Sequence, residues 1–286
     1  MKIVEITYRY DARDAGVRPR PADAEMARRR LDDGSRTISQ LVAQLREGSG
    51  TARRIIHVDP EDLGLDAGEK RVAAHQPFAA VLGCSDARVP IELIFNEGPN
   101  DLFVVRVAGN GLGPEVLGSL RYAVDHLGGS LKLVVVLGHS GCGAVSAAVD
   151  VFLNPGAYLA FTSRHSLRTI LDRLLVVIHA TAKKMAEVHG PGVAERRGYR
   201  TALIEGSVAA NAALAAYTVQ HEIGVGEQHG LRAAYGVYLL SARQVWAPRI
   251  GSPESGGLAD PPGDLAAFGD FADALVRSER ITTLLD

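Results

Sequence analysis

Two short stretches of the chain carry the residue types that do chemistry. In Cys84-Ser85-Asp86-Ala87-Arg88-Val89-Pro90 a thiol is followed closely by a carboxylate and a guanidinium, and in Gly138-His139-Ser140-Gly141-Cys142-Gly143 an imidazole precedes a second thiol. Two thiolates and one imidazole make a soft donor set suited to tetrahedral zinc, and three protein ligands leave a fourth position for water, as in a catalytic rather than a structural site. Hydrolytic or hydrating chemistry follows. Asp86 beside such a water accepts its hydrogen bond, with Arg88 keeping the carboxylate ionised and fixed. The same carboxylate is also a candidate for the fourth metal position beside Cys84, His139 and Cys142, and the sequence leaves both roles open. A buried cysteine alone is more often a small hydrophobe than a ligand; the pairing of the two motifs favours a metal. The glycines around His139 do not form a phosphate loop, since no Lys-Ser/Thr pair follows them.

For the motifs to meet, the elements that carry them must converge. Apolar runs at 78–83, 102–107 and 131–137 read as buried strands, and helical patterns at 89–95 and 114–127 separate them. Strand, helix, strand, helix, strand implies a parallel sheet. Each motif directly follows a strand, and in open α/β sheets ligand sites gather beyond the carboxyl ends of strands whose connections diverge. Further helices are expected at 142–153, where Asn154-Pro155-Gly156 stops the run, at 166–188 and at 203–219. A turn at Gly224-Val225-Gly226 leads toward a fourth strand at 231–240. Residues 22–45 read as two short helices broken at Asp32-Asp33-Gly34-Ser35, residues 51–76 as a mixed segment, 251–263 as an exposed linker and 264–285 as a terminal amphipathic helix.

The expected fold class is therefore α/β: a central, mostly parallel sheet of about four strands flanked by helices. One domain spans 1–250, with an N-terminal helical arm at about 22–50, and 251–286 forms the linker and C-terminal helical tail. The balance of 31 Lys+Arg against 33 Asp+Glu over 286 residues gives a net charge of -2, which points to neither nucleic acid nor an anionic membrane surface. The first twenty or so residues are charged throughout, unlike a signal peptide, and no apolar run reaches the roughly 18 residues of a membrane span, so a cytoplasmic location is expected. Two cysteines are too few for a disulfide scaffold.

The two motifs, together with the stretch from Gly98 through Leu102-Phe103-Val104-Val105-Arg106-Val107-Ala108-Gly109-Asn110, resemble those of β-class carbonic anhydrases. A weaker likeness extends over 22–246 and leaves out the tail. The resemblance implies reversible hydration of carbon dioxide to bicarbonate and a proton by zinc-hydroxide attack. One Zn2+ per subunit would be held by Cys84, His139 and Cys142, with Asp86 and Arg88 as a dyad beside it. Gln76 is similar to a family glutamine that hydrogen-bonds substrate. A homodimer or dimer of dimers with active sites at the subunit interface is implied as well.

Departures from the family pattern are Ala87, where Ser is common, and Val107, where Asn is common. Val81 stands where a regulatory bicarbonate pocket needs Trp, so that regulation is expected to be absent even though Arg106 matches the pocket's arginine. The same ligands also suit hydrolysis of carbonyl sulfide or carbon disulfide. A non-catalytic zinc-binding bicarbonate sensor is a third reading, against which the presence of Asp86 and Arg88 argues. Arg106 and the Gly109-Asn110 pair read as structural, the remaining histidines as surface or packed residues, and Arg28-Arg29-Arg30 as a solvated helix face or partner contact.

Overall fold

Alternation of side chains along short apolar runs decides the architecture. In strand β5 (Leu133–His139), Val134 and Val136 pack into one layer while Leu133, Val135 and Leu137 pack into the other, so both faces are buried and the run reads as uniformly apolar. The computed structural model describes residues 2–11, 18–48, 50–65, 72–156, 158, 165–224, 230–248 and 256–286. The turn expected at Gly224-Val225-Gly226, His229 and residues 251–255 of the expected linker lie wholly or partly outside that set.

Among the described residues the main sheet has five strands, β3 (Ala79–Gly83), β4 (Leu102–Arg106), β5, β6 (Arg232–Leu239) and β7 (Gln244–Trp246), ordered β4-β3-β5-β6-β7. The first four are mutually parallel, as expected, and the unforeseen β7 runs antiparallel at the edge. One face carries α3 (Pro114–Leu127), α4 (Gly143–Leu153), α5 (His165–His189), α6 (Tyr199–Glu222), α7 (Leu265–Arg277) and α8 (Glu279–Leu285). The other carries α1 (Ala24–Glu47) and the short α2 (Ile91–Ile94). Helix α6 has the length and composition of a membrane span, but 72% of its most apolar window is buried inside the protein, where it packs against β5 and β6.

Several expectations are corrected. Helix α1 is continuous through Asp32-Asp33-Gly34-Ser35, because distant backbone recruits the residues that look like breakers. Asp32 accepts the Leu258 N–H at 2.8 Å and Ser35 Oγ accepts the Val245 N–H at 3.2 Å. Gly34 lies so close to the Phe95 carbonyl that a Cβ would stand 1.8 Å from its oxygen. Beyond the helical arm lies a two-stranded ribbon that the sequence does not announce. Strand β1 (Lys2–Tyr10) pairs in parallel with β2 (Gly50–Val58), placing a ribbon on either side of α1 in sequence.

Arg30 is not solvated. It reaches Glu97 at 2.6 Å and Asp101 at 2.8 Å and lies over the Phe78 ring, whereas Arg28 and Arg29 pair with Glu25. The described part of the expected linker is not exposed as a whole: Leu258 is fully buried, and Ala259 exchanges backbone hydrogen bonds with Tyr235. The tail forms two helices broken at Ser278, and Phe271, Leu275, Ile281 and Leu285 enter the same core as α6.

Candidate metal centre

The strand order creates the site. From β3 the chain goes to β4 on one side and later returns as β5 on the other, so the connections leaving β3 and β5 diverge at a switch point. Cys84 directly follows β3, His139 is the last residue of β5, and the two strands pair with Gly83 opposite Leu137. Beyond His139 the chain turns back through Gly141, whose φ of +62° favours glycine, and delivers Cys142 as the residue before α4.

Cys84, His139 and Cys142 meet there, with all three potential ligand atoms within 4.8 Å of one another. The two sulfurs are 4.0 Å apart. Ligand–metal distances of about 2.0–2.3 Å in a tetrahedron require spacings of this order. His139 is 0% exposed, Cys142 1% and Cys84 5%, so the donors are shielded from bulk water. His139 Nδ1 lies 3.1 Å from the Ser140 carbonyl oxygen, which can only accept; the proton therefore sits on Nδ1 and leaves the Nε2 lone pair facing the sulfurs. Nε2 is buried without a hydrogen-bond partner among the described residues, the signature of a ligand atom.

The two thiols share one hydrogen bond. Hydrogen bonding with Cys142 pulls the Cys84 thiol down against the upward push of burial, with the Gly109 N–H adding to the pull. Cys142 is pushed far up by the adjacent Cys84 sulfur and by burial. The pair thus carries one negative charge readily and a second only beside a cation, and metal binding would displace the remaining proton. Asp86 is held well below the usual carboxylate range, chiefly by its side-chain hydrogen bonds with Arg88. Its Oδ2 is 3.9 Å from His139 Nε2, too far for a hydrogen bond. The structure places Asp86 on Arg88, beside the ligand triangle and not within it.

The profile of the carbonic anhydrase family matches residues 79–223, half of the chain, and spans all three ligands. The chain belongs to the carbonic anhydrase family. It is 46% identical over 99 residues to carbonic anhydrase 2 of Mycobacterium tuberculosis (strain CDC 1551 / Oshkosh), covering 34% of this chain and 44% of that protein. To the carbonic anhydrase of Pseudomonas aeruginosa (strain PAO1) it is 46% identical over 85 residues, 27% of this chain and 38% of that one. The matches therefore span less than half of either relative. The solved β-carbonic anhydrase CcaA shares the fold at a TM-score of 0.51 and 22% identity, over 78% of this chain and 98% of that one.

Within this family setting, residues read as structural turn out to touch the ligands. The Gly109 N–H points at Cys84 Sγ at 3.4 Å, and Asn211 of α6 holds the Gly109 carbonyl at 3.0 Å. Arg106 binds the carbonyls of Cys84 at 2.9 Å and Asp86 at 2.6 Å, clamping the loop that bears both side chains. Glu205, which no motif marks, accepts the Gly141 N–H at 2.7 Å. Gln76 is not brought to the site of its own chain. It precedes β3 and lines a cleft with Arg20, His75, His126 and Lys132, whereas Cys84 follows that strand's opposite end, about 17 Å further along.

Proposed function

We propose that the chain catalyses zinc-dependent reversible hydration of carbon dioxide to bicarbonate and a proton. The observation that carries this reading is the buried, unpartnered His139 Nε2 facing two sulfurs 4.0 Å apart, with an arginine-held carboxylate alongside. Cys84, His139 and Cys142 would hold the ion. Zinc, when bound at such a site, lowers the pKa of a coordinated water from about 15.7 to about 7 and so supplies a nucleophile at neutral pH. Arg88 keeps Asp86 ionised and fixes its plane, and Asp86 Oδ2 faces the His139 side, where it can accept a hydrogen bond from the attacking water and orient it. Arg106 and the Gly109 N–H hold the Cys84 loop while this happens.

A reducing, cytoplasmic setting is part of the proposal, because both cysteines must stay free thiols. So is assembly as a homodimer or dimer of dimers. Active sites at a subunit interface are the setting in which Gln76 can meet substrate, since its own strand holds it at the opposite end from Cys84. Stopped-flow hydration of carbon dioxide by the zinc-loaded protein from about pH 6.5 to about pH 9 tests the reading. A catalysed rate rising with pH is expected. Bound zinc with no rate above buffer at any pH would overturn it and favour sulfur analogues of carbon dioxide as substrates, or a sensor.

A further inference from the structure

We propose that Arg280, in the C-terminal helix, is a positioning residue for the metal centre, acting through Glu205 on the backbone of the turn between His139 and Cys142. The inference rests on the metal-centre reading above and extends it to a segment outside residues 79–223, where the family match ends.

The links are direct. The Gly141 N–H donates to Glu205 Oε1 at 2.7 Å, and the other carboxylate oxygen, Oε2, takes the guanidinium of Arg280. Glu205 is only 8% exposed and Arg280 is its ion partner, so its charge is balanced from α8. Arg280 lies over the Trp246 ring at 5.9 Å, and its neighbour Ile281 is fully buried, which fixes the guanidinium relative to α6. Successive residues of the turn it serves are tied to different elements. Ser140 ties it to the β6 side, donating its N–H to the Tyr238 carbonyl and accepting the Leu240 N–H on Oγ, and Gly141 ties it to α6 through Glu205. Cys142 is tied to α4 through its carbonyl, which takes the Ser146 N–H at 2.8 Å and Oγ–H at 2.9 Å, so the stretch left for Glu205 to set is the backbone at Gly141, between the two ligands.

Charge explains why Arg280 matters at that distance. A buried carboxylate deprived of its cation turns toward solvent, and the Gly141 N–H loses its acceptor. The turn then loses its tie to α6 at Gly141, and the angle between His139 and Cys142 slackens. A neutral acceptor at position 205 would need no guanidinium. Glu205→Gln should therefore keep the Gly141 hydrogen bond and make Arg280 dispensable.

The test uses the full chain loaded with Co(II), whose thiolate charge-transfer and d–d bands report ligand geometry, with cobalt release to a chelator as the second readout. Arg280→Ala is expected to speed release about tenfold and shift the d–d bands, the effect typical of losing support behind a metal ligand. In the Glu205→Gln background the same substitution should change release by less than about twofold. Unchanged release and bands in Arg280→Ala would overturn the proposal, and so would an effect undiminished in the Glu205→Gln background, which would mark Arg280 as only a docking residue for α8. Should Arg280→Ala not fold, Arg280→Met, which keeps the stem packed on Trp246 without the charge, carries the same comparison. A wild-type chain that binds no cobalt with a thiolate band would overturn the metal-centre reading itself, and this proposal with it, before any variant is compared.

Discussion

Arg88 grips Asp86 through both carboxylate oxygens, Nε on Oδ1 at 2.9 Å and Nη2 on Oδ2 at 2.6 Å, while Oδ2 stands 3.9 Å from His139 Nε2. One carboxylate therefore faces a cation on one side and the metal donors on the other. Releasing it from Arg88 would let it swing toward a metal ion and compete with water. Arg88→Ala and Asp86→Asn should each lower kcat/KM for carbon dioxide hydration by roughly 10- to 100-fold while leaving one metal ion per chain. Stopped-flow rates set beside metal content check this, and loss of the metal in step with the rate would contradict it.

Ion binding at three buried side chains stabilises only the folded chain. Stripping the metal with a chelator should lower Tm, with a loss of about 4 kcal/mol where free metal had stood near a thousandfold above its Kd. His139→Ala should be insensitive to the same chelator. Calorimetry of both proteins with and without chelator makes the comparison, and an equal response would place the metal elsewhere.

Helix α1 lies close against the Phe95 backbone at Gly34. A methyl group there would collide with the Phe95 carbonyl, a backbone atom that cannot rotate away. Gly34→Ala should therefore destabilise the fold by about 1–3 kcal/mol despite the better helix propensity of alanine. Urea unfolding measures it; a stabilised variant would mean that the helix is free to shift.

Glu97 gives stability a pH slope. Arg18, Arg30 and Asp101 face it, Tyr8 donates to its carbonyl, and burial pushes its carboxyl up to about 7 in spite of the two arginines. A carboxyl whose pKa rises from 4.5 on folding binds its proton more tightly in the native state. Its stabilising contribution is complete below about pH 4.5 and is lost as pH rises through about 7. The wild-type Tm should accordingly fall relative to that of Glu97→Gln between about pH 5 and about pH 8, and parallel pH profiles would show that the arginines keep Glu97 ionised throughout.

The central strands were legible because burial on both faces turns each into an apolar run, and the ligands because thiols and an imidazole next to strand ends are chemically conspicuous. The ribbon of β1 and β2 was hidden by its exposure: Glu5 and Arg53 face solvent and pair with each other, which breaks the apolar signal. The continuity of α1 could not be read locally, since Asp32 and Ser35 are satisfied by backbone more than two hundred positions away. Glu205 is one acid in an alanine-rich helix, and its partner on the metal turn is a backbone N–H that no residue type announces. The separation of Gln76 from Cys84 within one chain is a matter of direction, since an extended strand lies between them.

The pairing of β3 with β5 also makes the site depend on a contact between distant parts of the chain. Cys84 and His139 are joined by a long crossover through β4 and α3, so their meeting is a non-local contact of the kind that forms slowly and only after loop closure. A chain in which this pairing is unmade holds no ligand triangle. Metal uptake at this centre would therefore report that the two strands have paired.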